Sequence, residues 1–141
     1  MAAEGCGFCA VVEGRVEVAV VASTEHTLTF LDRSPLFYGH CLVIPRRHYE
    51  TLSDLPSDLL QPLFSEVQRI SRAVEAGLGA AGSFVAMNNK VSQSVPHVHV
   101  HVVPRNRKDG LRGFFWPRLR YRDEEHMADV AAALRRALTT D

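Results

Sequence analysis

Pro96-His97-Val98-His99-Val100-His101-Val102-Val103-Pro104, read as PHVHVHVVP, sets three of the chain's seven histidines at strict two-residue spacing with valines between them. Valine is β-branched and favours an extended backbone, and the alternation has the period of a strand. Successive side chains of a strand leave by opposite faces. His97, His99 and His101 therefore share one face, and Val98, Val100 and Val102 share the other. The valine face is the natural core face. The histidine face must look at something polar: water, a metal or a substrate.

Composition bounds what surrounds this segment. The chain has 141 residues, 46% of them apolar and 23% charged, which is ordinary for a globular domain. Sixteen basic residues balance sixteen acidic ones, which argues against a general nucleic-acid or membrane-surface binder. The start, MAAEGCGFC, has no basic segment followed by an apolar one, and no apolar run approaches the ~20 residues of a spanning helix. Three cysteines, an odd number, do not suggest a secreted disulfide framework. The expectation is a cytoplasmic protein with no membrane partner and no nucleic-acid partner.

Along the chain, residues 16–22, 28–31, 39–45, 83–87 and 97–103 read as five strands. Between the third and fourth, Leu59, Leu60, Leu63, Phe64, Val67, Ile70, Val74 and Leu78 recur at three- and four-residue steps. They predict one long amphipathic helix that ends near Gly77 or Gly79. Pro62 near its start implies an irregular first turn or a start later than Ser57. Met127, Val130, Ala131, Leu134 and Leu138 mark a terminal helix over about 123–138. The order predicts an α+β fold: a mainly antiparallel five-stranded sheet, one long central helix, and a C-terminal helix on the sheet. One domain spans 1–141, with its core at about 6–105, a basic and aromatic segment at 106–122, and the terminal helix.

Cα atoms two apart on a strand are separated by about 6.6 Å, and four apart by about 13 Å. One zinc can bridge neighbours of the row but not His97 and His101 together. The row therefore has room for two jobs. A second cluster bears on this: Cys6-Gly7-Phe8-Cys9 is a CxxC, and Arg46-Arg47-His48 follows the third strand. A CxxC is half of a zinc site or a redox pair, and the redox reading wants a thioredoxin-like βαβ context. A closed structural zinc site wants four ligands. Cys6, Cys9, His48 and one end of the histidine row would supply them, and His97 is the end that can be spared. Two reduced cysteines packed at the N-terminus are the plainer alternative. Cys41 reads as a small buried apolar residue. No motif calls for an organic cofactor.

The segment HVHVHVV resembles the signature of the histidine-triad (HIT) superfamily, and its surroundings agree. Gln93-Ser94-Val95 precede it, Pro104-Arg105 follow it, GHCLVIPRRH runs from Gly39 to His48, and FLD stands at 30–32. With the N-terminal CGFC, the resemblance covers about Cys6 to Arg105. It implies a HIT-like fold and a nucleotide hydrolase or transferase that attacks an α-phosphate through a nucleotidyl-histidine intermediate. The substrate would be a purine nucleotide conjugate, either a dinucleoside polyphosphate or a nucleoside phosphoramidate. The central His99 would be the nucleophile and His101 would contact the phosphate. His40 would support the nucleophile from the neighbouring strand. Gln93 and Ser94 would hold phosphate oxygens and the leaving group. Asp32 would grip the ribose hydroxyls, and Asn88 would add a ribose- or phosphate-side contact. Structural zinc would be held by Cys6, Cys9, His48 and His97, and a homodimer is implied.

Some features depart from the family pattern. Ser92 stands where many relatives carry glycine before the Gln-Ser pair, and Arg33 stands beside Asp32 where relatives often have an apolar residue. The stretch from Arg105 to Arg122 is rich in basic residues against one acid, Asp109, and carries Phe114, Phe115 and Trp116. It reads as a solvated loop with apolar anchors for core or dimer packing, or as a phosphate-facing arm. Two other functions compete with the leading one. One is a nucleotide-binding interaction protein with little catalysis; the other is a zinc hydrolase whose metal sits on the triad and activates water.

Overall fold

A computed structural model describes residues 2–112 and 117–139. Its elements are α1 (Gly7–Val12), β1 (Val20–Ser23), β2 (Thr27–Leu31), β3 (Cys41–Pro45), α2 (Leu60–Leu78), β4 (Gly82–Ala86), β5 (Val100–Arg105) and α3 (Glu124–Leu138). Two 3₁₀ turns, Leu52–Asp54 and Ser57–Leu59, lead into α2. The five strands form one antiparallel sheet in the order β1-β2-β3-β5-β4. This is the expected α+β architecture of a five-stranded antiparallel sheet with one long central helix. Among the described residues no helix is long and apolar enough to cross a membrane.

The chain divides into two compact units, Met1–Asp109 and Gly110–Asp141. In the first, the valine face of the histidine segment is the core face. Val98, Val100 and Val102 join Cys41 and Val43 of β3 and Leu63, Val67, Ile70 and Val74 of α2 in one buried cluster. Burying a side chain of this size contributes about 1.5–3 kcal/mol. The opposite sheet face is covered as well. Leu28, Phe30, Leu42 and Ile44 pack there with Val11 of α1, and Phe8 leans on them. β3 is thus buried on both faces, which is why CLVIP reads as an unbroken apolar run.

The ends of the elements differ from the sequence reading for local reasons. The ladder of β5 begins at Val100, so His97 and His99 precede it rather than lying within it. Their alternation persists because Val98 remains in the core. β1 begins at Val20 and breaks register between Val20 and Ala22. β3 begins at Cys41 because Gly39 sits in a turn at φ 100°. The start of α2 follows from Pro62: a 3₁₀ turn covers Ser57–Leu59, and the α-helix starts at Leu60. Pro62 then falls in the first turn, where its missing N–H leaves no bond unmade. Gly79, left-handed at φ 69°, ends the helix. The six-residue α1 has no counterpart in the sequence reading, since its apolar residues are too few to show a helical period.

In the second unit, Asp123 caps α3 by accepting from the His126 amide at 2.8 Å. Glu124 and Glu125 in its first turn and Arg135 and Arg136 in its last complement the helix dipole. Phe114, Phe115 and Trp116 lie outside the described residues.

Candidate active site and metal-binding cluster

The three histidines of the row are held in three different ways. His97 and His99 are buried, with Phe8 of α1 edge-on against both rings. His97 donates from Nε2 to the carbonyl of Pro45 at 2.8 Å. Its Nδ1 must then carry the lone pair. His99 donates from Nδ1 to the carbonyl of His97 at 2.7 Å, which leaves its Nε2 as the lone-pair nitrogen.

His40 is turned toward His101 rather than His99. The Leu36 amide donates to His40 Nδ1 at 3.1 Å, so His40 carries its proton on Nε2. That nitrogen donates to His101 Nδ1 at 2.9 Å, and His101 in turn keeps its N–H on Nε2. The order of bonds fixes both tautomers from one backbone amide. The sequence reading expects His40 to support His99; the bond its Nε2 makes is to His101. Leu42 is the register partner of His101 on β3, which brings the turn at Gly39-His40 alongside that ring.

Electrostatics keep this group neutral. Burial chiefly, with repulsion from His99 and His40, lowers the His101 pKa to about 4, while Asp32 opposes the shift. Burial also lowers the His40 pKa, again against Asp32, whose Oδ2 lies 3.7 Å from His40 Nε2. Asp32, His40 and His101 are close enough to be considered as a metal cluster. The tautomers argue otherwise, because the His40 nitrogen that would ligate carries the proton donated to His101.

His99 and His101 open into a cleft of about 640 Å³. Its apolar wall is built by Phe8 and Val11 of α1, Val16 and Val18 before β1, Phe30 and Leu31 of β2, and Leu42 of β3. Asp32, Arg33, Ser94 and the two histidines line its polar parts. One apolar wall with a few convergent polar groups is the usual form of a small-molecule site. The Phe8 ring meets His99 edge-on at 5.1 Å between centroids and Phe30 at 5.5 Å. Such pairs contribute about 0.5–1.5 kcal/mol each beyond their buried area. The role of Phe8 was not read from sequence; its place inside CGFC was the available signal.

The remaining expected residues divide. Ser94 lines the cleft, but Gln93 and Asn88 are absent from its lining. Gln93 donates to the Glu50 carbonyl at 2.6 Å and accepts from the Lys90 amide at 2.9 Å. Asn88 donates to the Ser92 carbonyl at 3.2 Å. Both therefore shape the loop. Ser92 sits at φ 60° and Lys90 at φ 67°, so this loop takes left-handed backbone without glycine. Asp32 accepts from the Ser34 amide at 2.9 Å.

Behind the row, Cys6, Cys9, His48 and His97 converge. His97 Nδ1 lies 3.5 Å from Cys6 Sγ, 3.7 Å from Cys9 Sγ and 3.3 Å from His48 Nδ1, and Cys9 Sγ lies 3.4 Å from His48 Nδ1. A tetrahedral zinc with Zn–N near 2.05 Å and Zn–S near 2.3 Å spans edges of about 3.3 Å between nitrogens and about 3.6 Å between nitrogen and sulfur. The four observed separations match those edges. The bond from His97 to the Pro45 carbonyl is the outer support that ligating imidazoles usually have. The set fits one closed four-coordinate metal site.

This fold and site define a family. The chain belongs to the HIT domain family, whose model matches residues 13–108. It is 38% identical over 116 residues to Protein hit of Bacillus subtilis, covering 81% of this chain and 80% of that protein. It is 32% identical over 114 residues to the adenosine 5'-monophosphoramidase hnt1 of Schizosaccharomyces pombe, covering 79% of this chain and 83% of that protein. Among solved structures, a HIT family member from Bacillus subtilis matches with a TM-score of 0.85 at 32% identity, over 94% of this chain and 96% of that one. A Zn-bound histidine triad family protein from Mycobacterium smegmatis matches with a TM-score of 0.73 at 35% identity, over 97% and 98%.

Proposed function

We propose that the protein is a nucleotide hydrolase or transferase acting at the α-phosphate of a purine nucleotide conjugate, a nucleoside phosphoramidate or a dinucleoside polyphosphate. The observation that carries this reading is the His99 tautomer. Its Nδ1–H is committed to the His97 carbonyl at 2.7 Å, and its lone-pair Nε2 faces a cleft of nucleotide size. The adenosine 5'-monophosphoramidase among its relatives supports the substrate class.

His99 Nε2 attacks phosphorus, forming an N–P bond as the P–N or P–O bond to the leaving group breaks and that group departs with the electron pair. Positive charge on the imidazole is stabilised through Nδ1–H by the carbonyl. His101 Nε2–H donates to a phosphoryl oxygen, and its orientation is held through His40. Ser94 stands by the leaving group. Asp32 binds the ribose hydroxyls, and the Phe8, Val11 and Phe30 wall takes the base. Water or another acceptor then displaces His99 from phosphorus. Asn88 and Gln93 serve by holding the phosphate-side loop.

Zinc at Cys6, Cys9, His48 and His97 is part of the same reading, supported by the tetrahedral separations and the Zn-bound relative. With all four positions filled by protein, it would tie α1 to the sheet and would not contact substrate. The protein is also inferred to be a homodimer, and sedimentation at micromolar concentration should give twice the 15.7 kDa chain mass.

The test is an intact mass taken seconds after mixing with adenosine phosphoramidate and, separately, diadenosine tetraphosphate. A nucleotidyl adduct on the wild type and none on a folded His99→Ala variant is the expected result. Turnover retained by His99→Ala would refute the mechanism.

A further inference from the structure

Phe8 occupies an unusual place: it stands between Cys6 and Cys9 in sequence, yet its ring belongs to the cleft. Cys6 Sγ accepts from the Cys9 amide at 3.4 Å, so the two thiols and the first turn of α1 form one unit. Six residues are too few to hold a helix unaided. α1 keeps its place through its buried side chains and through the meeting of its thiols with His48 and His97. From that helix the Phe8 ring reaches His99 edge-on at 5.1 Å and His97 at 6.0 Å. His97 joins the same two regions by a second path, with Nδ1 in the cluster and its carbonyl under His99.

We propose that metal binding at the Cys6–Cys9–His48–His97 cluster and nucleotide binding in the cleft are thermodynamically coupled, with Phe8 as the positioning residue that carries the coupling. The proposal rests on the nucleotide and zinc readings given above. A metal that draws both thiols against the two imidazoles fixes α1, and thereby fixes one wall of the cleft and the edge of Phe8 against His99. A base seated on Phe8 holds α1 in the geometry the metal needs. Each ligand therefore favours the same position of one short element. The factor by which zinc tightens the nucleotide must equal the factor by which the nucleotide tightens zinc.

The experiment measures zinc affinity by competition with a chromogenic chelator, with and without saturating AMP. AMP affinity is measured by calorimetry on the zinc-loaded and zinc-free protein. Both are done for the wild type and for Phe8→Ala. The expected wild-type factor is at least about fivefold in each direction, the lower end of ordinary coupling. In Phe8→Ala it should fall to within about twofold of unity while zinc is still bound stoichiometrically. A wild-type factor of one overturns the proposal. So does a full factor in Phe8→Ala, which would mean that zinc acts through His97 or by holding the fold as a whole. If Phe8→Ala does not fold, Phe8→Leu replaces it, keeping bulk on α1 without a ring edge, and an undiminished factor there has the same meaning. Failure of AMP to bind the zinc-loaded wild type overturns the nucleotide reading together with the coupling, whereas AMP binding with a unit factor overturns the coupling alone.

Discussion

Three imidazoles spaced two residues apart divide between two tautomers because each ring finds a different fixed partner. The Pro45 carbonyl accepts from His97 Nε2–H, the His97 carbonyl accepts from His99 Nδ1–H, and the Leu36 amide acts through His40 to place the His101 proton on Nε2. A titration prediction belongs at this scale. The native His101 pKa is lowered to about 4, against an unfolded value near 6.5. Between those values the unfolded chain binds a proton that the native ring does not, so stability falls as pH falls. His101 contributes on the order of 2–3 kcal/mol that is present above pH ~6.5 and lost on approaching pH ~4. Urea unfolding across that window should give a clear slope in the wild type and a shallower one in His101→Asn. Equal slopes would mean that the His101 ring is solvated.

At the scale of elements, turns aim the side chains that strands cannot. Gly39 holds φ 100°, and a Cβ there would lie 2.3 Å from Leu78 Cδ1 and 3.2 Å from Pro104 Cγ. The turn thus combines left-handed backbone with close approach to the end of α2, and it delivers His40 to His101. Gly39→Ala should lower unfolding free energy by about 1–3 kcal/mol, from backbone strain and the forced shift of Leu78. Denaturant titration measures this, and an unchanged midpoint would show that the turn can relax. The loop before the triad solves a similar problem without glycine. Gln93 ties Glu50 to Lys90, and Asn89 accepts from the Leu52 amide at 2.7 Å. These side-chain bonds hold a backbone that Lys90 and Ser92 would otherwise disfavour.

At the scale of the whole molecule, the Cys/His cluster joins segments far apart in sequence: α1, the residue three after β3, and the start of the histidine row. Chelation should therefore lower Tm, and at free zinc a thousandfold above Kd the bound metal stabilises the fold by about 4 kcal/mol. Calorimetric scans of loaded and chelated protein, with Cys9→Ser as the metal-free reference, measure it. Equal Tm values would remove the structural role. Of the whole design, the sequence determined what depends on periodicity and residue chemistry. It carried the α+β order, the valine core face, the long helix with the irregular or late start that Pro62 implies, and the residues able to ligate or attack. Those follow from side chains whose spacing and donor type are written locally. Tertiary structure alone decided that α1 forms and packs against His97 and His99, that Phe8 joins the cleft, that His40 pairs with His101, and that Gln93 braces the loop. The physical reason is that tautomers and ring orientations are set by carbonyls and amides from other elements. The carbonyls are alike in every residue, and the amides in every residue but proline, so they leave no mark in the order of side chains.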